Sequence, residues 1–109
     1  MNWKHLTLEE ALDGILVASK DRPQLIFKHS TRCSISTMAK DRLERKWNSE
    51  SIDPWYLDLL NYRGISNMIE TRFGIRHESP QVLLFENGDL IYHASHNSIS
   101  AQNIVQALS

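Results

Sequence analysis

The segment HSTRCSIS (His29–Ser36) holds Cys33, the only cysteine in the chain. Thiols that work as a redox pair often stand as Cys-x-x-Cys, and here Ser36 occupies the second place. A short apolar run, Leu25–Phe27, precedes the segment, and helical spacing follows it. Cys33 is therefore expected at the N-terminus of a helix. The first amides of a helix have no intrahelical partner, and the dipole there is positive. Both favour a thiolate, the species that attacks disulfides. Arg32 and Lys28 are neighbouring cations that add to this effect if their side chains turn toward the sulfur. Ser36 falls one turn on, on the same side as Cys33. Its hydroxyl can donate to a thiolate but cannot resolve a mixed disulfide. The competing reading is a buried structural cysteine, because free cysteine is among the most buried residue types.

Two further places carry candidate chemistry. Ser79-Pro80 stands before the apolar run QVLLF, where a proline belongs at a strand start because it cannot donate to a sheet ladder. His96 follows the last expected strand and falls at the same sheet end as Pro80. His5 and His93 read as structural or exposed. The five histidines and one cysteine show no zinc-ligand spacing.

The elements that must position these residues are readable in outline. Trp3–Leu6 suits a short edge strand. Thr7 with Glu10 forms a capping-box pattern ahead of a helix expected over Leu8–Lys20. Leu25–Phe27 reads as a buried strand. A second helix places Ile35, Met38, Ala39, Leu43 and Trp47 on one face. Trp55–Tyr62 reads as another central strand. Ile65, Met68, Ile69 and Phe73 mark a third helix stopped at Gly74. Val82–Phe85 and Leu90–Ala94 flank ENGD, an Asn-Gly hairpin. Ser98 is expected to cap a last helix carrying Ile99, Ile104, Val105 and Leu108. The order is (β)αβαβαββα, an α/β domain with parallel crossover strands and an antiparallel final hairpin.

Composition narrows the function classes. A chain of 109 residues suits one domain, and 41% hydrophobic residues suit a globular fold. Twelve basic against thirteen acidic residues leave a net charge of -1, which argues against a nucleic-acid or acidic-membrane partner. No apolar run approaches the ~20 residues needed to span a bilayer. The N-terminal residues do not read as a secretory signal, so a cytoplasmic location is expected, and a lone cysteine suits a reducing compartment.

The order of elements, with a cysteine at a helix start and a proline before a hairpin strand, resembles the thioredoxin fold over essentially the whole chain. In that context the Ser79–Pro80 bond is expected to be cis, aiming the Ser79 backbone outward toward an incoming substrate. The three pieces IFKHSTRCSIS, HESPQVLLFENG and ASHNSI occur in order and resemble the monothiol bacilliredoxin family. One departure is Ser34, where a common form of the family motif has proline.

The resemblance implies a reaction and a set of residues. Cys33 would be the nucleophile that removes bacillithiol from client proteins held as mixed disulfides. Ser36 would fill the place of the absent resolving thiol. Ser79 and Pro80 match the substrate-facing loop. Lys28, His29, Thr31, Arg32, His77 and His96 fall within the motifs and are candidates to surround the ligand, whose malate carboxylates suit cationic neighbours. No bound cofactor is expected; bacillithiol acts as thiol co-substrate, and the partners are bacillithiolated clients. Two other classes stay open at this point. One is a thioredoxin-fold interaction module with an incidental cysteine. The other is an iron–sulfur carrier of monothiol glutaredoxin type, against which Ser34-Ile35 stands where glycine-phenylalanine is usual.

Overall fold

The computed structural model describes residues 1–108. Its elements are β1 (Lys4–His5), α1 (Ala11–Ala18), β2 (Gln24–His29), α2 (Ser34–Lys46), β3 (Asp53–Asp58), α3 (Arg63–Phe73), β4 (Gln81–Glu86), β5 (Asp89–Ser95), a 3-10 turn (His96–Ser98) and α4 (Ala101–Gln106). The strands form one five-stranded sheet in the order β1-β3-β2-β4-β5. β1, β3 and β2 run parallel, β4 runs antiparallel to β2, and β5 closes an antiparallel hairpin. No described helix is long and apolar enough to cross a membrane.

β2 lies at the centre and all six of its residues are buried. Side chains alternate across a strand, so β2 feeds two cores. Leu25 and Phe27 join Leu43, Val82, Leu84, Ile99 and Ile104 on the face covered by α2 and α4. Ile26 joins Leu12, Ile15, Leu57, Ile65, Ile69, Leu83 and Phe85 on the face covered by α1 and α3. The same alternation sends Lys28 with Ile26 and His29 with Phe27. This parity governs the site.

Several boundaries differ from the sequence expectation. β2 runs beyond Phe27 because Lys28 and His29 keep pairing with β3, and Lys28 with β4 as well. β3 begins at Asp53 and ends at Asp58, so Leu59–Tyr62 is not strand. Asp58 ends it locally: its carboxylate accepts the Leu60 amide at 3.2 Å and the Asn61 side-chain amide at 2.8 Å. α1 begins at Ala11 behind Glu10, which makes no side-chain cap, so the Thr7 capping box does not form. Ser100, not Ser98, caps α4, its hydroxyl accepting the Asn103 amide at 3.1 Å. Gly74 ends α3 in the left-handed region (φ 67), as the sequence predicts. Asn87 (φ 56) and Gly88 (φ 82) form the hairpin turn.

α2 is rotated from its expected face. Ser36, Ala39 and Leu43 point inward, while Ile35 and Met38 are 54% and 65% exposed. Residues 36, 39 and 43 follow the i, i+3, i+7 arc that faces the sheet. The apolar pair at 35 and 38 therefore faces solvent beside the helix start.

Candidate redox site at the start of α2

Cys33 is the N-cap of α2 and is half-buried. Its amide donates to the Ser30 carbonyl at 3.2 Å, closing a turn that leaves Thr31 and Arg32 exposed beside it. The first intrahelical bond runs from the Thr37 amide to the Cys33 carbonyl at 3.1 Å. The amides of Ser34, Ile35 and Ser36 lie ahead of that bond, at the positive end of the helix. The expected strand–cysteine–helix arrangement is thus present.

The sheet register brings the other predicted segments to the same end. Lys28 of β2 pairs with Gln81 of β4, and Gln81 with Ser95 of β5. Pro80 and His96 therefore flank the strand end that delivers Cys33, and the His96 amide donates to the Pro80 carbonyl at 3.0 Å. The Ser79–Pro80 peptide is cis. Ser79 is half-buried and Pro80 buried, while the His96 side chain is exposed. A shallow groove beside α2 is lined by Ile35, Met38, Ala39, Arg42, His96 and Asn97. Arg42, one of its lining residues, donates to the carbonyls of His96 at 3.2 Å and Ile99 at 3.3 Å.

The loop from Ile75 to Pro80 is tied down along its length. The His77 amide donates to the Glu70 carboxylate at 2.5 Å, and Gln81 Nε2 to the Arg76 carbonyl at 3.1 Å. The Ser95 hydroxyl donates to Glu78, and this bond holds the Glu78 carboxyl below its usual range. A loop with this many anchors presents Ser79-Pro80 in a set position.

Lys28 departs from its expected role. It is fully buried and lies on the α3 side of the sheet, so it does not reach the surface around the sulfur. Its Nζ sits 3.3 Å from His77 Nδ1, which is also 3.2 Å from Ser66 Oγ. Burial lowers the Lys28 pKa to about 8, opposed by the nearby Glu70 carboxylate. Burial, and then the Lys28 charge, lower that of His77. An ammonium beside a neutral imidazole makes Lys28 the donor and Nδ1 the acceptor. Lys28 thus holds the loop from behind.

Ser36 is fully buried at the first turn of α2. Its hydroxyl accepts the Ser30 amide at 3.2 Å and lies 2.6 Å from His29 Nδ1. The His29 ring is buried between Phe27 and Tyr56, at centroid distances of 5.8 and 5.5 Å. Desolvation, followed by the positive charge of Lys40, lowers its pKa. The sequence motif contains His29 but does not disclose its bond to Ser36. The available signal was strand parity: alternation from Phe27 sends His29 to the α2 face, where Ser36 must pack.

The comparisons agree with this geometry. The sequence profile of the monothiol bacilliredoxin BrxC family matches residues 4–104. A solved structure described as that of a proposed oxidoreductase with a thioredoxin fold superposes with a TM-score of 0.82 at 26% identity, covering 94% of this chain and 90% of that one. Malassezia sympodialis thioredoxin (Mala s 13) gives 0.72 at 16% identity, covering 97% and 87%. Fasciola hepatica thioredoxin gives 0.74 at 10% identity, covering 96% and 99%. The two thioredoxins speak for the fold alone. The family and the oxidoreductase neighbour support a redox function of thioredoxin type. With a single cysteine at the helix start and serine three residues on, the chain belongs to the monothiol bacilliredoxin family.

Proposed function

We propose that this protein removes bacillithiol from protein mixed disulfides through Cys33. The observation that carries the reading is a lone, half-buried cysteine at the N-cap of α2, in a chain of the monothiol bacilliredoxin family. The Cys33 thiolate attacks the bacillithiol sulfur of a client–bacillithiol disulfide. A new S–S bond forms between Cys33 and bacillithiol, the old one breaks, and the client leaves as a thiolate that takes a proton from water. A second bacillithiol thiolate then attacks the adduct, freeing Cys33 and forming the bacillithiol disulfide. The net change is a thiol–disulfide exchange in which one free bacillithiol thiol replaces the client in the disulfide, and the protein is unchanged. Arg32 and Thr31, exposed beside Cys33, together with Ser79, Pro80 and His96, are proposed to receive the mixed disulfide. The protein would act on bacillithiolated clients in the reducing cytoplasm.

Mass spectrometry tests this. Incubation with a bacillithiolated client should place one bacillithiol on Cys33 with client thiol released in step. Cys33→Ala should abolish both signals, whereas Ser36→Ala should retain transfer at an altered rate. Client release by Cys33→Ala equal to that by the wild type, or no adduct on a wild-type thiol that is otherwise reactive, would sink the reading.

A further inference from the structure

Lys28 is a cation in a place where an apolar side chain would cost less. It sits in the central strand between Leu57 of β3 and Gln81 of β4 and is fully buried. Strand parity puts it on the face of Ile26, which packs among the aliphatic residues under α1 and α3. Burying an ammonium there costs free energy that a methionine or leucine would not. The hydrogen bond made in return goes to Nδ1 of His77, 3.3 Å away, and His77 is two residues from Ser79 along the chain.

His77 is held at two further points, both on α3. Its amide donates to the Glu70 carboxylate at 2.5 Å, and Ser66 Oγ lies 3.2 Å from the same Nδ1. The carbonyl of the preceding residue, Arg76, accepts Gln81 Nε2 at 3.1 Å. Lys28 and Gln81 are register partners on adjacent strands. Two buried side chains, side by side, therefore grip consecutive residues of the loop that leads to Ser79-Pro80. A pKa of about 8 leaves Lys28 charged at neutral pH. An ammonium can only donate, so Nδ1 of His77 is the acceptor and the ring hydrogen sits on Nε2.

We infer that Lys28 is a positioning residue for the exchange reaction, setting through His77 where Ser79 and Pro80 stand against a disulfide at Cys33. The link from His77 to Ser79 is the backbone itself, and an amine donates whether charged or neutral, so no titration is needed to transmit the effect. Lys28 takes no part in the bond changes at sulfur. This inference rests on the reading that Cys33 is the nucleophile and that the Ser79-Pro80 loop receives the disulfide. It does not depend on bacillithiol being the thiol carried.

The test compares transfer from a bacillithiolated cysteine peptide with alkylation of Cys33 by iodoacetamide, a reagent too small to need the loop. In transfer, the new S–S bond joins Cys33 to bacillithiol and the peptide leaves as its thiol, which is the species measured. Lys28→Met fills most of the stem's space and removes the donor. It should slow transfer about three- to thirtyfold while alkylation stays within about twofold. His77→Phe should do the same, and the double variant should be no slower than the slower single, the pattern of a coupled pair. His77→Asn, whose side-chain oxygen offers Lys28 an acceptor in place of Nδ1, should recover most of the transfer rate. Nitrogen NMR of the wild-type ring should find the His77 hydrogen on Nε2. Transfer unchanged in Lys28→Met, transfer and alkylation falling together, losses that multiply in the double variant, or a ring hydrogen on Nδ1 would each overturn the inference. A wild type that ignores the bacillithiolated peptide but reacts with its glutathionylated counterpart would remove the bacillithiol reading alone, and the same ratios are then expected on that second disulfide. A wild type unreactive toward both would overturn the inference together with the reading.

Discussion

Lys28 and His29 are adjacent in the chain, yet they serve opposite faces of the sheet. One braces the loop that carries Ser79-Pro80, and the other braces the first turn of α2. Their burial was not legible in the sequence, because a lysine next to a histidine at a strand end reads as solvated surface. Cys33 was legible, since strand, turn and helical spacing meet there. The Lys28–His77 contact makes a signed prediction. His77 is held below the ordinary histidine value first by burial and then by the Lys28 charge. Lys28→Met should raise the pH at which His77 protonates, read from its ring signals by NMR. An unmoved midpoint would mean that the ammonium does not act on the imidazole.

At the scale of elements, the caps divide what could be read from what could not. Gly74 and Asn87-Gly88 were legible because few residues tolerate their positive φ. Ser98 is the cap expected from the sequence, although Ser100 is the same residue type. The 3-10 turn at His96–Ser98 consumes the first of them, so α4 starts two residues later. Ser100→Ala should cost about 1 kcal/mol in chemical denaturation, and Ser98→Ala close to nothing. Comparable losses for the two would contradict the placement of the cap. The buried face of α2 departs from the apolar stripe for a related reason. Ile35 and Met38 fit an apolar stripe, but the arc that meets the sheet passes through Ser36, whose partner His29 supplies the polar contact it needs inside.

Over the whole molecule, two histidines have pKa values lowered by desolvation, the buried His29 and the half-buried His77, one on each side of the central sheet. In the unfolded chain both protonate near pH 6.5, while in the fold they resist until lower pH. Between those points the unfolded state binds more protons, so stability rises with pH through the window. Stability should therefore fall as pH drops below about 6.5 and level off once both rings are charged in the native state. Lys28 acts in the same sense at the alkaline end, with stability rising from about pH 8 toward the ordinary lysine value of 10.5. Tyr56, whose pKa is raised by burial, opposes this above its ordinary value of 10. Urea midpoints measured at steps from pH 7.5 to 5 should decline in the wild type. A flat profile over that range would contradict the desolvation of the two rings. The overall architecture, unlike this linkage, followed from element order and the position of one proline, because crossover connections leave few ways to arrange five short strands.

The hairpin tip has a consequence for how the protein ages. An Asn-Gly pair decays when the glycine nitrogen attacks the asparagine side-chain amide and expels ammonia, leaving a new carboxylate after hydrolysis. Here the Gly88 amide is committed to Ser19 Oγ at 2.8 Å, and the Asn87 amide to the Ser19 carbonyl at 2.8 Å. A nitrogen held this way is turned from its own attack. Ser19 thus acts as a preservative, and its loss should shorten shelf life before it affects chemistry at the other end of the sheet. Stored Ser19→Ala protein should gain acidic isoforms at Asn87 faster than wild type, resolved by ion exchange and peptide mass. Equal rates in the two proteins would show that the latch gives no such protection.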